Sequence, residues 1–144
     1  MELAVGLRAT VRHVVTEADT AIQAGSGDVP VLATPRLLAL AEAACVAALA
    51  GHLDAGMTSV GTGVALEHRR ASPVGTEIEV EAELTELSGR RLGFAFIARH
   101  VRPRSAGPDG ADTGGDEELV AGAGSVERIV VDRARFLAQA AAIA

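Results

Sequence analysis

One stretch of the chain has no polar face. From Leu37 to Gly51 it reads LLALAEAACVAALAG, apolar or small at every position except Glu42. The run predicts a helix, with Thr34 as its N-cap, Pro35 at its first helical position and Gly51 as its C-terminal stop. A helix apolar nearly all round is either enclosed by sheet or lies at an interface. Around it the period drops to two. Residues 3–15 alternate loosely through Val5, Leu7, Ala9 and Val11, predicting an N-terminal strand. In 59–70, Val60, Thr62, Val64 and Leu66 share one face, and His68 continues that row. In 76–87, Ile78, Val80, Ala82 and Leu84 alternate with four glutamates, a half-buried strand. Ser88-Gly89 turns tightly into 91–102, where Leu92, Phe94, Phe96 and Ala98 share a face. Arg91 and Arg99 fall across from the preceding glutamates, as exposed pairs of little energetic weight. A last strand covers 119–131, and Asp132 caps a short helix over 133–142. Residues 16–30 and the Gly-, Pro- and Asp-rich 103–118 read as loops.

The order is strand, long helix, then four antiparallel strands. That is an α+β arrangement, a long central helix wrapped by an antiparallel sheet of about five strands, and it is the order expected of a hotdog fold. At 144 residues the chain reads as a single domain over 1–144, long enough to bury a sizeable core. By fold analogy, such domains pair as homodimers with their sites at the interface.

Composition narrows the partners. Only three residues are aromatic, so the core must be built from Val, Leu, Ile and Ala. The net charge of -6 and the lack of a basic stripe argue against nucleic acid. Cys45 is the single cysteine, so no internal disulfide framework exists. No leader pattern is visible, and the apolar run is too short to span a bilayer; a cytoplasmic protein without membrane partners is expected.

Three polar residues stand out as candidate chemistry. Glu42 must be solvated, paired or protonated, because burying a carboxylate alone is costly. Read blandly, it snorkels or pairs with an arginine; read functionally, it is a base or nucleophile tuned by its surroundings. Thr34 is explained by capping, yet a hydroxyl at a helix start also meets bound groups, near N–H donors that favour an oxyanion. Eight residues separate Thr34 from Glu42, about 12 Å of helix, so the two can line one cleft or meet across a two-fold axis but cannot touch within one helix. His68 is either a satisfied core histidine or a third member of the set. His13, His52 and His100 share no metal-like spacing with it, so no metal is expected. Gly61-Thr62-Gly63 lets a ligand approach the strand backbone. Cys45 reads as a packing residue.

Val31-Leu32-Ala33-Thr34, the Leu37–Val46 run with Glu42-Ala43-Ala44-Cys45-Val46, Gly61-Thr62 before His68, and Gly89-Arg90-Arg91-Leu92 together resemble the fluoroacetyl-CoA thioesterase family of hotdog proteins, over roughly residues 5–131. The resemblance implies thioester hydrolysis to carboxylate and CoA, with Thr34, Glu42 and His68 catalytic and Gly61 and Thr62 beside the acyl group. It implies a CoA thioester as substrate and no cofactor. CoA is anionic, so its entry should involve arginine; Arg36 and Arg91 are candidates, with Arg69, Arg70 and Arg90 beside them. The fluoroacetate-specific enzyme has a phenylalanine lid before its threonine. Residues 16–33 here contain no aromatic, so a broader acyl-CoA thioesterase is implied. The alternative is a non-catalytic dimer that binds acyl-CoA.

Overall fold

The computed structural model describes residues 2–101 and 119–143; the loop expected at 103–118 lies outside them. The strands are β1 (Arg8–Val14), β2 (Met57–His68), β3 (Glu77–Ser88), β4 (Arg91–His100) and β5 (Val120–Asp132). The helices are α1 (Ala21–Ala24), α2 (Thr34–Leu49) and α3 (Arg133–Ala141). All five strands pair antiparallel in the order β1-β3-β4-β5-β2, so β2 and β1 are the edges.

The helix with no polar face still has a definite inside. Leu37, Leu40, Ala41, Ala44, Cys45, Ala48 and Leu49 are buried, while Ala39, Ala43, Val46 and Ala47 face outward. The buried row packs on Ile78, Val80, Ala82 and Leu84 of β3 and on Leu92, Phe94, Phe96 and Ala98 of β4. Alternation in β3 is as expected. Its outward glutamates are met by β1: Arg8 bonds Glu83, and Arg12 lies 2.9 Å from Glu79. Ser88 pairs with Arg91 across a two-residue loop in which Gly89 takes φ 61°, the left-handed value such a hairpin needs. Asp132 caps α3 as expected, accepting from the Arg135 N–H at 2.9 Å.

Three expectations need correction. The segment 16–30 is not plain loop: it holds a short 3-10 turn at Glu17–Asp19 and the single turn of α1. Ala33, not Thr34, is the N-cap of α2, and no side chain caps it; Thr34 is the first helical residue. The shared face in β2 breaks at a bulge. The register with β5 slips between Gly61 and Gly63, leaving Thr62 as the extra residue. Before the slip Ser59 and Gly61 face the helix; after it Val64, Leu66 and His68 do, so Val60 and Thr62 leave the row.

Phe94 is 1% exposed at the centre of this core. Phe94→Ala should lower stability by about 3–5 kcal/mol in urea unfolding at neutral pH.

Candidate active site

The first turn of α2 and the last residue of β2 meet. Thr34 Oγ1 lies 2.8 Å from His68 Nδ1. Because Ala33 occupies the cap position, the Thr34 hydroxyl is not spent on the helix and reaches the strand instead. His68 is half-buried, and its other nitrogen, Nε2, is buried with no hydrogen-bond partner among the described residues. Burial lowers the pKa of this imidazole, with the Arg70 backbone opposing in part, so the ring is neutral at pH 7. Thr34 and His68 line a groove of about 310 Å³ whose walls include Val31, Leu32, Arg69 and Arg70.

Glu42 lies two turns further along α2 and does not join that pair within one chain. Its partner is Arg128 of β5, whose Nη1 donates to Glu42 Oε2 at 2.9 Å. Arg128 is 6% exposed, and it is held on its other nitrogens by the Ser59 hydroxyl and the Ser59 carbonyl, each at 2.9 Å. Held by Ser59 on two of its three nitrogens, the guanidinium presents the third, Nη1, in a defined direction, which fixes the carboxylate. Gly61 makes the room: a Cβ there would lie 2.7 Å from Glu42 Oε2. Sequence reasoning missed Arg128, which sits 86 positions from Glu42. An isolated arginine in an otherwise alternating last strand was the available signal.

The remaining candidates are dispersed. Arg36 Nε is bonded to Asp19 Oδ1 at 2.7 Å. Thr62 and Arg91 line a different cavity of about 430 Å³, with Glu86 and Glu127, which meets the Glu42 side through Arg128. Cys45 is fully buried, and desolvation pushes its thiol pKa up to about 12, with Arg128 opposing and Glu42 adding to the rise. Such a thiol is inert at neutral pH. Among the described residues no three His, Cys, Asp or Glu side chains converge as a metal site would need.

The long helix laid against a five-stranded antiparallel sheet defines a hotdog-fold protein. Residues 15–104 match the family model of the fluoroacetyl-CoA-specific thioesterase. The fluoroacetyl-CoA thioesterase of Streptantibioticus cattleyicolor is 34% identical over 130 residues, covering 90% of this chain and 79% of that protein. A solved variant of fluoroacetyl-CoA thioesterase FlK in complex with acetyl-CoA superposes with a TM-score of 0.79 at 29% identity, over 96% of each chain. A thioesterase superfamily member from Thermus thermophilus shares the fold, with a TM-score of 0.80 at 20% identity over 99% of this chain and 93% of that one. The chain belongs to the fluoroacetyl-CoA-specific thioesterase family.

Arg128→Met removes the only partner seen for Glu42 among the described residues and leaves the Ser59 carbonyl without its donor. Stability should fall by about 1–3 kcal/mol. Adding Glu42→Gln should restore part of that loss, as measured by a double-mutant cycle in urea.

Proposed function

We propose that the chain hydrolyses an acyl-CoA thioester to a carboxylate and free CoA, with Thr34, Glu42 and His68 as its reacting set. The observation that carries this reading is the Thr34 Oγ1–His68 Nδ1 bond at 2.8 Å, formed in the floor of a groove between residues 34 positions apart. With the threonine hydroxyl donating to Nδ1, the neutral ring carries its proton on Nε2. That buried donor has no partner among the described residues, and an unsatisfied buried group costs about 1–3 kcal/mol; a thioester oxygen or the departing sulfur supplies the missing acceptor. Glu42, aimed by Arg128, takes a proton from the attacking water, or adds to the carbonyl carbon itself to give an anhydride that water opens. In both routes the C–S bond breaks, the His68 Nε2–H hydrogen-bonds the departing thiolate, and the thiolate takes up the proton released by the attacking water.

Arg69 and Arg70 stand at the wall of the same groove, and we assign the phosphates of CoA to them rather than to Arg36 or Arg91. The segment over the groove contributes Val29, Val31 and Leu32 and no aromatic, which supports an acyl group less restricted than fluoroacetyl.

The active form is a homodimer in this reading. The edge strand β2 is 12 residues long and carries no charge from Met57 to Leu66. Long uncharged edges invite pairing. On the helix side of that edge Val64 is 52% exposed and Val46 of α2 is 51% exposed, with Ala39 and Ala43 beside them. A second copy, antiparallel about a two-fold axis at Ala65, covers this strip, pairs Val64 with Leu66 on the helix side and, across the Thr62 bulge, sets His68 of one copy opposite Gly61 of its partner. The Thr34–His68 half of one chain then approaches the Glu42–Arg128 half of the other. No helix among the described residues is long and apolar enough to cross a membrane; we place the protein in the cytoplasm, with its substrate.

Thiol release from a panel of short and medium acyl-CoAs tests the reading. Glu42→Gln should cut turnover by roughly 10²–10⁴-fold while CoA binding persists. Tight binding with no turnover by the unsubstituted protein would instead support an acyl-CoA-binding module. Val64→Lys should convert dimer to monomer in sedimentation velocity and lose activity with it; a fully active monomer would remove the shared-site reading.

A further inference from the structure

Among the described residues, Asp19 and Arg128 are the buried charges that carry several hydrogen bonds, and Asp19 lies away from Glu42. Asp19 is 4% exposed and ends the 3-10 turn between β1 and the groove segment. Its Oδ2 accepts from the Thr16 N–H at 2.8 Å and the Thr16 hydroxyl at 2.9 Å, and lies 2.6 Å from His13 Nε2. Its Oδ1 accepts from Arg36 Nε at 2.7 Å, and its main-chain carbonyl accepts from the Ala33 N–H at 2.9 Å. Ala33 and Arg36 flank Thr34 on either side. One residue thus grips the start of α2 by its main chain before Thr34 and by its side chain after it.

The cap position explains why such a grip is needed. Ala33 offers no capping side chain, so from within α2 the first turn rests on Pro35 and on the Arg36 and Leu37 N–H groups that donate to the Ala33 carbonyl at 3.0 Å. Thr34 stands one position past the cap, and its hydroxyl is on His68. We infer that Asp19 is a positioning residue for Thr34: it anchors the first turn of α2 from outside the helix, on both sides of Thr34, and so sets where the hydroxyl meets His68. Burial by itself would raise the Asp19 pKa, but the bonds from the Thr16 N–H, His13, Arg36 and the Thr16 hydroxyl outweigh it and hold the carboxyl well below the usual carboxylate range. The carboxylate is therefore charged wherever the protein is folded near neutral pH, beside the positive end of the helix.

This inference rests on the reading that Thr34 works through His68, so its test needs a signal that does not depend on turnover. The ring nitrogens of His68, followed by NMR in the full-length protein, report the Thr34 bond directly. Thr34→Val gives the signal with the bond absent. Asp19→Asn and Arg36→Met, both conservative enough in volume to leave the fold, should move the His68 signals toward that position. Where turnover is measurable, each should lower kcat roughly ten- to a hundredfold with little change in KM. In a Thr34→Val background the same changes should add almost nothing, because they act through the lost hydroxyl. Folded Asp19 and Arg36 variants whose His68 signals stay at the unsubstituted position would overturn the inference, as would equal kcat losses in both backgrounds. If the unsubstituted protein hydrolyses no acyl-CoA, the functional reading fails while the His68 comparison still decides this one.

Discussion

The architecture depends on how closely α2 approaches the sheet. Ala41 and Ala44 are fully buried and Ala48 is 5% exposed. Small side chains in the contact row let the helix axis settle near the strands, and the larger Leu37, Leu40 and Leu49 fill the ends. Only because of that approach can Thr34 reach His68 and Glu42 reach Arg128. A row of leucines at the same positions would make an equally apolar helix and push both polar contacts out of range.

The same approach settles how an acid is carried in an apolar helix. Glu42 keeps partial access to water, with a side chain 36% exposed, while the arginine opposite takes the deeper position at 7%. Desolvation therefore falls mainly on the guanidinium, the more weakly hydrated of the two ions, and it is met by three hydrogen bonds. The outcome is one of the simple readings that a lone glutamate suggests, a pair with an arginine, made here within the chain. The carboxylate is paired, yet still open on one side to water.

Much of this was legible in the chain. The helix, all five strands, the hairpin at Gly89 and the cap at Asp132 follow from periodicity and local turn chemistry, which act over a few residues. Glu42 stood out because the apolar helix gives it no local partner, whereas Thr34, read as a cap, and His68, at the end of an apolar row, were joined to it by the family resemblance. The departures share a cause: they depend on contacts between distant positions. An alternating pattern cannot reveal an inserted residue, so the bulge at Thr62 inverted half of β2, although two glycines bracket it. The cap was misplaced by one residue because Ala33 satisfies the backbone angles while Asp19 and Arg36 supply the bonds. Arg128 reads as one outward arginine among thirteen basic residues until β5 is laid beside β2.

Gly61 carries a consequence for how such a protein changes over time. The space that Glu42 fills there is bounded by an atom that glycine lacks, and the crowded neighbour is the far end of a flexible side chain rather than backbone. One added methyl group would turn the carboxylate away from Arg128 while β2 kept its pairing with β5. On the role proposed for Glu42, turnover and structural integrity are thereby separable at a single codon, and a hydrolase of this kind stands one step from a binding protein of the same shape.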